Sequence, residues 1–160
     1  MNIAQAIKEA AEKHGLDPKI LAALVAQESS GEPDAFRFER GFYRRYIKGK
    51  SASQLGETIT TLPWMINRIL RASSFGLGQV MGQTAIEHGF SGELWELFDV
   101  SVNLDISARI LADCIEKGEG DIEEGLLRYN GGGDPTYPTR VLSHLDDGRA
   151  YALLGLKGIV

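Results

Sequence analysis

The chain has 160 residues, of which 43% are hydrophobic and 24% are charged, and its formal net charge is −5. This length and balance predict one globular domain over residues 1–160, and the negative charge argues against nucleic acid as a partner. No apolar run approaches the roughly 20 residues of a membrane span, the polar start Met1 to Gln5 does not predict a signal peptide, and the single cysteine, Cys114, excludes an internal disulfide.

Apolar residues at three- and four-residue spacing predict two helices within the first 30 residues. The first runs from Ile3 to His14. The second runs from Pro18 to Ser30, with Asp17 as its N-cap and Gly31 as its stop. Because the two helices follow one another closely, we expect them to form a helical hairpin.

The helical pattern breaks down after residue 31. Proline, glycine and five aromatic residues predict a loop with at most one turn of helix over residues 31–49, and any strand pairing is expected as a small hairpin within residues 36–60. A helix is expected from Trp64 to Arg71, with Met65 facing inward. The glycine-punctuated segment from Ser73 to Gly82 is predicted to be a loop.

The second half of the chain carries clearer helical periodicity. The predicted helices are Gln83–His88, a brief one from Ser91 to Phe98, Ser101–Lys117, one that starts after the cap Asp121 and ends near Tyr129, and a last one after Pro138. No alternating strand pattern of useful length is present. The predicted fold class is therefore all-α, or α+β at most.

Glu28 stands out on the second predicted helix because it falls on the apolar face, four residues after Leu24 and three after Val25. A carboxylate on a buried stripe is costly unless it is paired or protonated, and desolvation raises its pKa. Such a group suits a general acid that works near neutral pH. The alternative explanation is a helix-end glutamate that reaches water or pairs with an arginine.

Common cofactor and metal motifs are missing from the sequence. The three histidines, His14, His88 and His144, are scattered, and one cysteine cannot provide a zinc-type spacing. The glycines at 76 and 78 are too few for a dinucleotide fingerprint, and the run at 131–133 lacks the lysine and serine of a phosphate-binding loop. The sequence therefore predicts neither a metal site nor a cofactor.

Three motifs follow one another in the order known from an enzyme family. They are Glu28-Ser29, Ser74-Phe-Gly-Leu-Gly-Gln-Val-Met81 and Arg128-Tyr-Asn-Gly-Gly132. Over residues 5–145 the chain resembles the soluble lytic transglycosylases, whose catalytic domain is similar to goose-type lysozyme. Asn103-Leu104 also looks like the start of that family's central helix. The resemblance implies a lysozyme-like helical fold.

The resemblance implies that the partner is the glycan strand of peptidoglycan, cleaved between N-acetylmuramic acid and N-acetylglucosamine to a 1,6-anhydro product. It implies that Glu28 is the sole acid/base and that the acetamido group of the substrate assists. Tyr129 is expected to hydrogen-bond near Glu28 or to that acetamido group, and Ser29 either positions a sugar or caps the helix end. The substrate-binding residues implied in this way are Ser29, Ser74, Gly76, Leu77, Gln79, Met81, Tyr129 and Asn130.

The chain departs from the family pattern in three places, one of which is Gly131 in place of the usual alanine. Gly78 stands where the family usually has methionine, which predicts a more open cleft wall unless Met81 fills the gap. The segment 31–73 is longer than usual, so an insertion is expected beside the cleft, and residues 36–50 are either a flap over it or a solvated basic loop. Glu39 is the one acid in this short stretch. Six cations surround it in the sequence: Arg37, Arg40, Arg44, Arg45, Lys48 and Lys50.

Two other functions stay open at this stage. A hydrolytic lysozyme needs a second carboxylate, for which Glu39 and Asp34 are the candidates. A non-catalytic wall-binding or structural domain is the other. We expect a monomer, and the sequence leaves the localisation open between a phage lysis enzyme, a virion component and a domain of a longer exported protein.

Overall fold

A computed structural model describes residues 2–56 and 60–156 of the chain. Helices dominate these residues, which confirms the predicted fold class. The helices within the described part are α1 (Ile3–Lys13), α2 (Pro18–Ser29), α3 (Arg40–Phe42), α4 (Ala52–Leu55), α5 (Trp64–Arg71), α6 (Gly82–Glu87), α7 (Val100–Lys117), α8 (Ile122–Tyr129), α9 (Tyr137–Asp146) and α10 (Arg149–Leu153). A π-helical turn covers Tyr43–Ile47 and a 3₁₀-helix covers Leu94–Phe98.

A small antiparallel sheet has the strand order β1 (Phe36–Phe38), β2 (Ser73–Phe75) and β3 (Val80–Met81). The expected hairpin within residues 36–60 is wrong, and so is the loop expected over 73–82, because β1 pairs with the distant β2 and β2 turns back into β3. The ring of Phe36 packs edge-on against Phe75 with centroids 5.3 Å apart, which ties β1 to β2. Strands of two or three residues are too short to show an alternating pattern in the sequence.

The main core is built around α2. Seven consecutive residues, from Ile20 to Ala26, are buried, so α2 is covered on all sides by α1, α9 and α10. Helices α7 and α8 complete the same core through Leu104, Leu111 and Leu126, which have no exposed surface. Glu28 lies two residues after this buried run and is therefore carried by a helix that is enclosed over most of its length.

Helix α5 has its polar side inward. Asn67 and Arg71 are buried, whereas Met65 is 55% exposed, so the prediction that Met65 faces inward is wrong. The Arg71 guanidinium donates to the carbonyl oxygens of Leu55 and Gly56, both at 2.6 Å. Since a buried arginine must have its donors satisfied, these bonds decide which face of α5 turns inward. None of the helices that the structure describes is long and apolar enough to cross a membrane.

We expect Leu111→Ala to lower the free energy of unfolding by about 2–5 kcal/mol, because it opens a cavity in a fully enclosed site. Met65→Ala is the matched control and should change it by no more than about 0.5 kcal/mol, because this side chain faces solvent. Urea denaturation of both variants measures the difference. Equal losses would mean that the apolar side of α5 faces inward after all.

Candidate active site

A cleft of about 300 Å³ opens where the C-terminal end of α2 meets the small sheet and the end of α8. Its walls combine carboxylate, amide, aromatic and aliphatic side chains with one glycine. The lining residues are Glu28, Arg37, Glu39, Phe42, Ser74, Gln79, Val80, Met81, Thr84, Ile110, Tyr129, Asn130 and Gly131. Five of the residues predicted to bind substrate line this cleft together with Glu28: Ser74, Gln79, Met81, Tyr129 and Asn130.

Glu28 lies in the last turn of α2 and is half-buried. The hydroxyl group of Tyr137 donates a hydrogen bond to its Oε1. Burial raises the pKa of the Glu28 carboxyl group above its ordinary value, because desolvation penalises the charged form. The Tyr137 hydrogen bond and the charges of Arg37 and Arg140 act in the opposite direction without cancelling this effect.

Tyr137 is the site residue that the sequence analysis missed. It begins α9 and is only 2% exposed, and its pKa is raised by burial and then by the nearby charge of Glu28, so its hydroxyl remains a donor. The expectation that Tyr129 hydrogen-bonds near Glu28 is therefore corrected, since Tyr137 supplies that hydrogen bond. The alternative, a bond from Tyr129 to the acetamido group of the substrate, stays a prediction. The sequence offered one weak signal, because a tyrosine on a buried helix face needs a partner for its hydroxyl group.

Tyr129 instead braces the glycine-containing loop between β2 and β3. Its hydroxyl group donates to the carbonyl oxygen of Gly78 at 2.8 Å, and burial raises its pKa. A hydroxyl group has one proton, so in this arrangement Tyr129 donates its only hydrogen bond to the loop. Its ring still lines the cleft beside Glu28, whose charge also contributes to the raised pKa.

The Asn103 side chain on α7 also holds this loop through hydrogen bonds. Its Oδ1 accepts from the backbone nitrogen of Gly78 at 2.9 Å, and its Nδ2 donates to the carbonyl oxygens of Phe75 and Leu97, both at 2.8 Å. A Cβ atom on Gly76, which has φ +61°, would lie 2.6 Å from that nitrogen. Glycine is therefore required at 76 by both the backbone conformation and the close approach of Asn103.

Gly78 does not open the cleft wall, so that expectation is wrong. A Cβ atom at this position would lie 2.0 Å from Ser107 Oγ and 3.1 Å from the Tyr129 hydroxyl oxygen. The missing side chain therefore points at α7 and α8 and not at the cleft. The glycine allows the loop to pack directly against these two helices.

Ser29 and Leu77 connect the loop to the helix that carries Glu28. Ser29 Oγ donates to the carbonyl oxygen of Leu77 at 2.8 Å and accepts from the backbone nitrogen of Gly31 at 3.2 Å. The Leu77 side chain is fully buried in the main core. Ser29, Gly76 and Leu77 therefore stand behind the cleft and are not among its lining residues.

Gln79 adopts a left-handed backbone conformation, with φ 47°. This conformation costs a non-glycine residue roughly 1–2 kcal/mol and is common where function constrains the chain. Its side-chain nitrogen donates to the carbonyl oxygens of Ala35 and Gly76, at 3.2 and 3.1 Å. The side-chain oxygen accepts from no donor within the described residues, which leaves it for a ligand in the cleft.

The family model for the transglycosylase SLT domain matches residues 5–138. The chain belongs to this family. Its members are peptidoglycan lytic transglycosylases, so the chain is an enzyme that acts on peptidoglycan, and the resemblance noted in the sequence is confirmed. The matched span contains the three motifs and Tyr137. No solved structure matches the chain significantly.

Of the two candidates for a second acid in this transglycosylase, one reaches the cleft. Glu39 lines it and forms an ion pair with Arg37, whereas Asp34 is exposed on the turn before β1 and is not a lining residue. Residues 37–42 form a side wall of the cleft, which Arg37, Glu39 and Phe42 line. Within the described ranges, no group of histidine, cysteine, aspartate or glutamate residues could hold a metal ion.

Folding raises the pKa of Glu28, so the folded state favours the neutral carboxyl group. The stability gained from this preference is present below the unfolded-state pKa and is lost as the pH rises through the folded-state pKa. Glutamine stays neutral throughout. We therefore expect Glu28→Gln to be more stable than the wild type at pH 7, with a difference that shrinks as the pH falls to about 4.

Urea unfolding of both proteins between these pH values measures the difference. Glu12→Gln, which changes an exposed glutamate on α1, is the control for the loss of one negative charge. A difference that grows toward low pH would mean that folding lowers the pKa of Glu28.

Proposed function

We propose that this transglycosylase cleaves the β-1,4 bond between N-acetylmuramic acid and N-acetylglucosamine without water, with Glu28 as its single acid/base. The burial of Glu28 in the cleft wall carries the proposal, because a raised pKa keeps a fraction of the carboxyl groups protonated near neutral pH. The fixed hydrogen bond from Tyr137 holds that group in one orientation.

In the first step, Glu28 gives its proton to the glycosidic oxygen and the bond from that oxygen to C1 of the muramic sugar breaks. The carbonyl oxygen of the 2-acetamido group of the same sugar bonds to C1, so the substrate supplies its own nucleophile. The N-acetylglucosamine side leaves with a new hydroxyl group. Glu28 is left as a carboxylate.

In the second step, the Glu28 carboxylate takes the proton of the C6 hydroxyl group. The C6 oxygen attacks C1, the bond from C1 to the acetamido oxygen breaks, and the 1,6-anhydro ring closes. The C6 proton replaces the one that Glu28 gave to the leaving hydroxyl group, so Glu28 is protonated again and the cycle consumes no water. The enzyme is ready for the next bond.

A group that works first as acid and then as base needs both of its protonation states within reach. Burial favours the neutral form of Glu28, whereas the Tyr137 hydrogen bond and the charges of Arg37 and Arg140 favour the carboxylate. These opposing effects come from neighbours on two elements, β1 and α9. The balance suits a single residue that alternates between the two roles.

The sugar contacts follow from the lining residues. We assign the free side-chain oxygen of Gln79 and the amide of Asn130 to the acetamido groups, because amides pair with amides through complementary donors and acceptors. Ser74 and Met81 form the wall beside them. Ser29, Gly76 and Leu77 act indirectly, by holding the loop that presents Gln79.

One observation favours a second candidate, which is hydrolysis. Glu39 lines the same cleft as Glu28 and could activate a water molecule as a general base. Its ion pair with Arg37 would then have to orient the carboxylate toward that water. Asp34 offers a matched control, because it is an acid in the same segment that lies outside the cleft.

Digestion of purified peptidoglycan, followed by mass spectrometry of the soluble fragments, tests the proposed reaction. We expect the wild type to release fragments that end in anhydromuramic acid, lighter by one water than the products of hydrolysis. Glu28→Gln should lose about 10²- to 10⁴-fold in rate while it stays folded, since glutamine cannot deliver a proton.

Glu39→Gln and Asp34→Asn complete this experiment. Both should keep the anhydro product if Glu28 acts alone. Fragments with reducing ends, together with a loss of activity in Glu39→Gln only, would establish the hydrolytic reaction instead. A wild type that binds the wall without releasing fragments would overturn both proposals.

Tyr137→Phe and Tyr129→Phe separate the roles of the two tyrosines. Removing the Tyr137 hydroxyl group deletes a hydrogen bond that lowers the pKa of Glu28, so the basic limb of kcat/KM should move to higher pH. The loss of a single hydrogen bond should reduce kcat by up to about tenfold. The pH profiles of kcat/KM and of kcat measure these two effects.

Tyr129→Phe should lower thermal stability through the loss of the bond to Gly78, and it should leave the basic limb closer to that of the wild type. If the basic limb moved further in Tyr129→Phe than in Tyr137→Phe, Tyr129 would be the residue that controls Glu28.

A further inference from the structure

Positive charge is concentrated in one short segment of an otherwise acidic protein. Residues 37–50 hold six of the 17 lysine and arginine residues of the chain and one of its 22 acids, Glu39. The rest of the chain is therefore strongly acidic. Such segregation concentrates a positive potential at one place on the surface.

The segment starts inside the cleft. Arg37 sits opposite Ser74 in the β1–β2 register, and the backbone nitrogen of Glu39 donates to the carbonyl oxygen of Ala72 at 2.8 Å. Arg37, Glu39 and Phe42 line the cleft, so the residues that follow them extend from its margin. A polymer seated in the cleft would pass beside these residues.

Core packing and side-chain hydrogen bonds hold the backbone of the segment in place. Ile47 is fully buried in a small core with Leu55 and Ala72. The Arg68 side chain donates to the carbonyl oxygens of Ile47 and Lys50, at 2.7 and 2.6 Å. The cations therefore project from an anchored scaffold, which lowers the conformational entropy lost on binding.

Five of the six cations are exposed and have no ion-pair partner among the residues that the structure describes; only Arg37 has one, Glu39. We call these five side chains the basic surface: Arg40, Arg44, Arg45, Lys48 and Lys50. Grouped like charges repel one another and add nothing to the stability of the fold. A surface of this kind attracts anionic ligands.

We propose that the basic surface binds the carboxylates of the peptide stems that project from the glycan strand held in the cleft. The stems are the anionic groups that the substrate itself brings to this margin, and the acidic remainder of the protein surface would repel them. The inference rests on the proposed function, because it assumes that a glycan strand occupies the cleft. It adds the peptide stem as a second determinant of which strands are bound.

The test measures binding without turnover. In a Glu28→Gln background, Arg44→Gln and Arg45→Gln are combined, and the dissociation constant is measured for uncrosslinked glycan strands that carry stems and no phosphate polymer. The same strands are used after an amidase has removed the stems. The amidase leaves a lactyl carboxylate on each muramic sugar, so the stripped strand is still anionic next to the sugar ring.

We expect the double change to weaken binding of stem-bearing strands roughly threefold to tenfold at about 0.01 M salt. The effect should be smaller at about 0.15 M salt, because screening shortens the reach of exposed charges. The affinity for stripped strands should not change. Lys8→Gln combined with Lys19→Gln, which removes two exposed cations from α1 and α2, is the charge-matched control and should affect neither strand.

Equal losses on both kinds of strand would overturn the proposal, because the surface would then contact sugars or support the fold. No loss on either strand would overturn it as well. Should the Arg44 and Arg45 variant unfold, Lys48→Gln with Lys50→Gln repeats the test on the same surface. If Glu28→Gln shortens the strands during the titration, the catalytic proposal fails, and this outcome is separate from the result for the basic surface.

Discussion

The desolvation of one carboxyl group, that of Glu28, is the main physical constraint on the cleft. Glu28 follows a helical run in which every side chain from Ile20 to Ala26 is buried, so the helix delivers it to a place where ionisation is costly. The fold does not remove this cost. A tyrosine hydroxyl group and two arginine charges oppose it, but the pKa of Glu28 stays above its ordinary value.

Three polar side chains, those of Ser29, Asn103 and Tyr129, hold the loop that forms the cleft wall. Ser29 binds the carbonyl oxygen of Leu77, and Tyr129 binds that of Gly78. Asn103 satisfies three backbone groups of the same region. A loop buried on one side must have its backbone groups paired, and these side chains provide the partners. The strained conformation of Gln79 is tolerated because its surroundings are fixed in this way.

The segment between α2 and β2 connects the candidate active site to a cluster of surface charge. Its first residues form the cleft wall through β1, and its later residues carry exposed cations on a backbone that Arg68 and Ile47 hold in place. The ion pair between Arg37 and Glu39 lies at the junction of the two parts. A change in this segment can therefore alter the charge of the cleft and that of its margin independently.

Local patterns in the sequence predicted most of the helices and placed Glu28 on the apolar face of α2. Periodicity, the cap at Asp17 and the glycine stops predicted α1, α2 and α5 to within a residue or so, because these signals act within a few residues. The tertiary structure alone decided the pairing of β1 with β2, the inward polar face of α5 and the choice of Tyr137 over Tyr129 as the partner of Glu28. Each of these depends on atoms far apart along the chain, which meet only when burial forces polar groups to find partners.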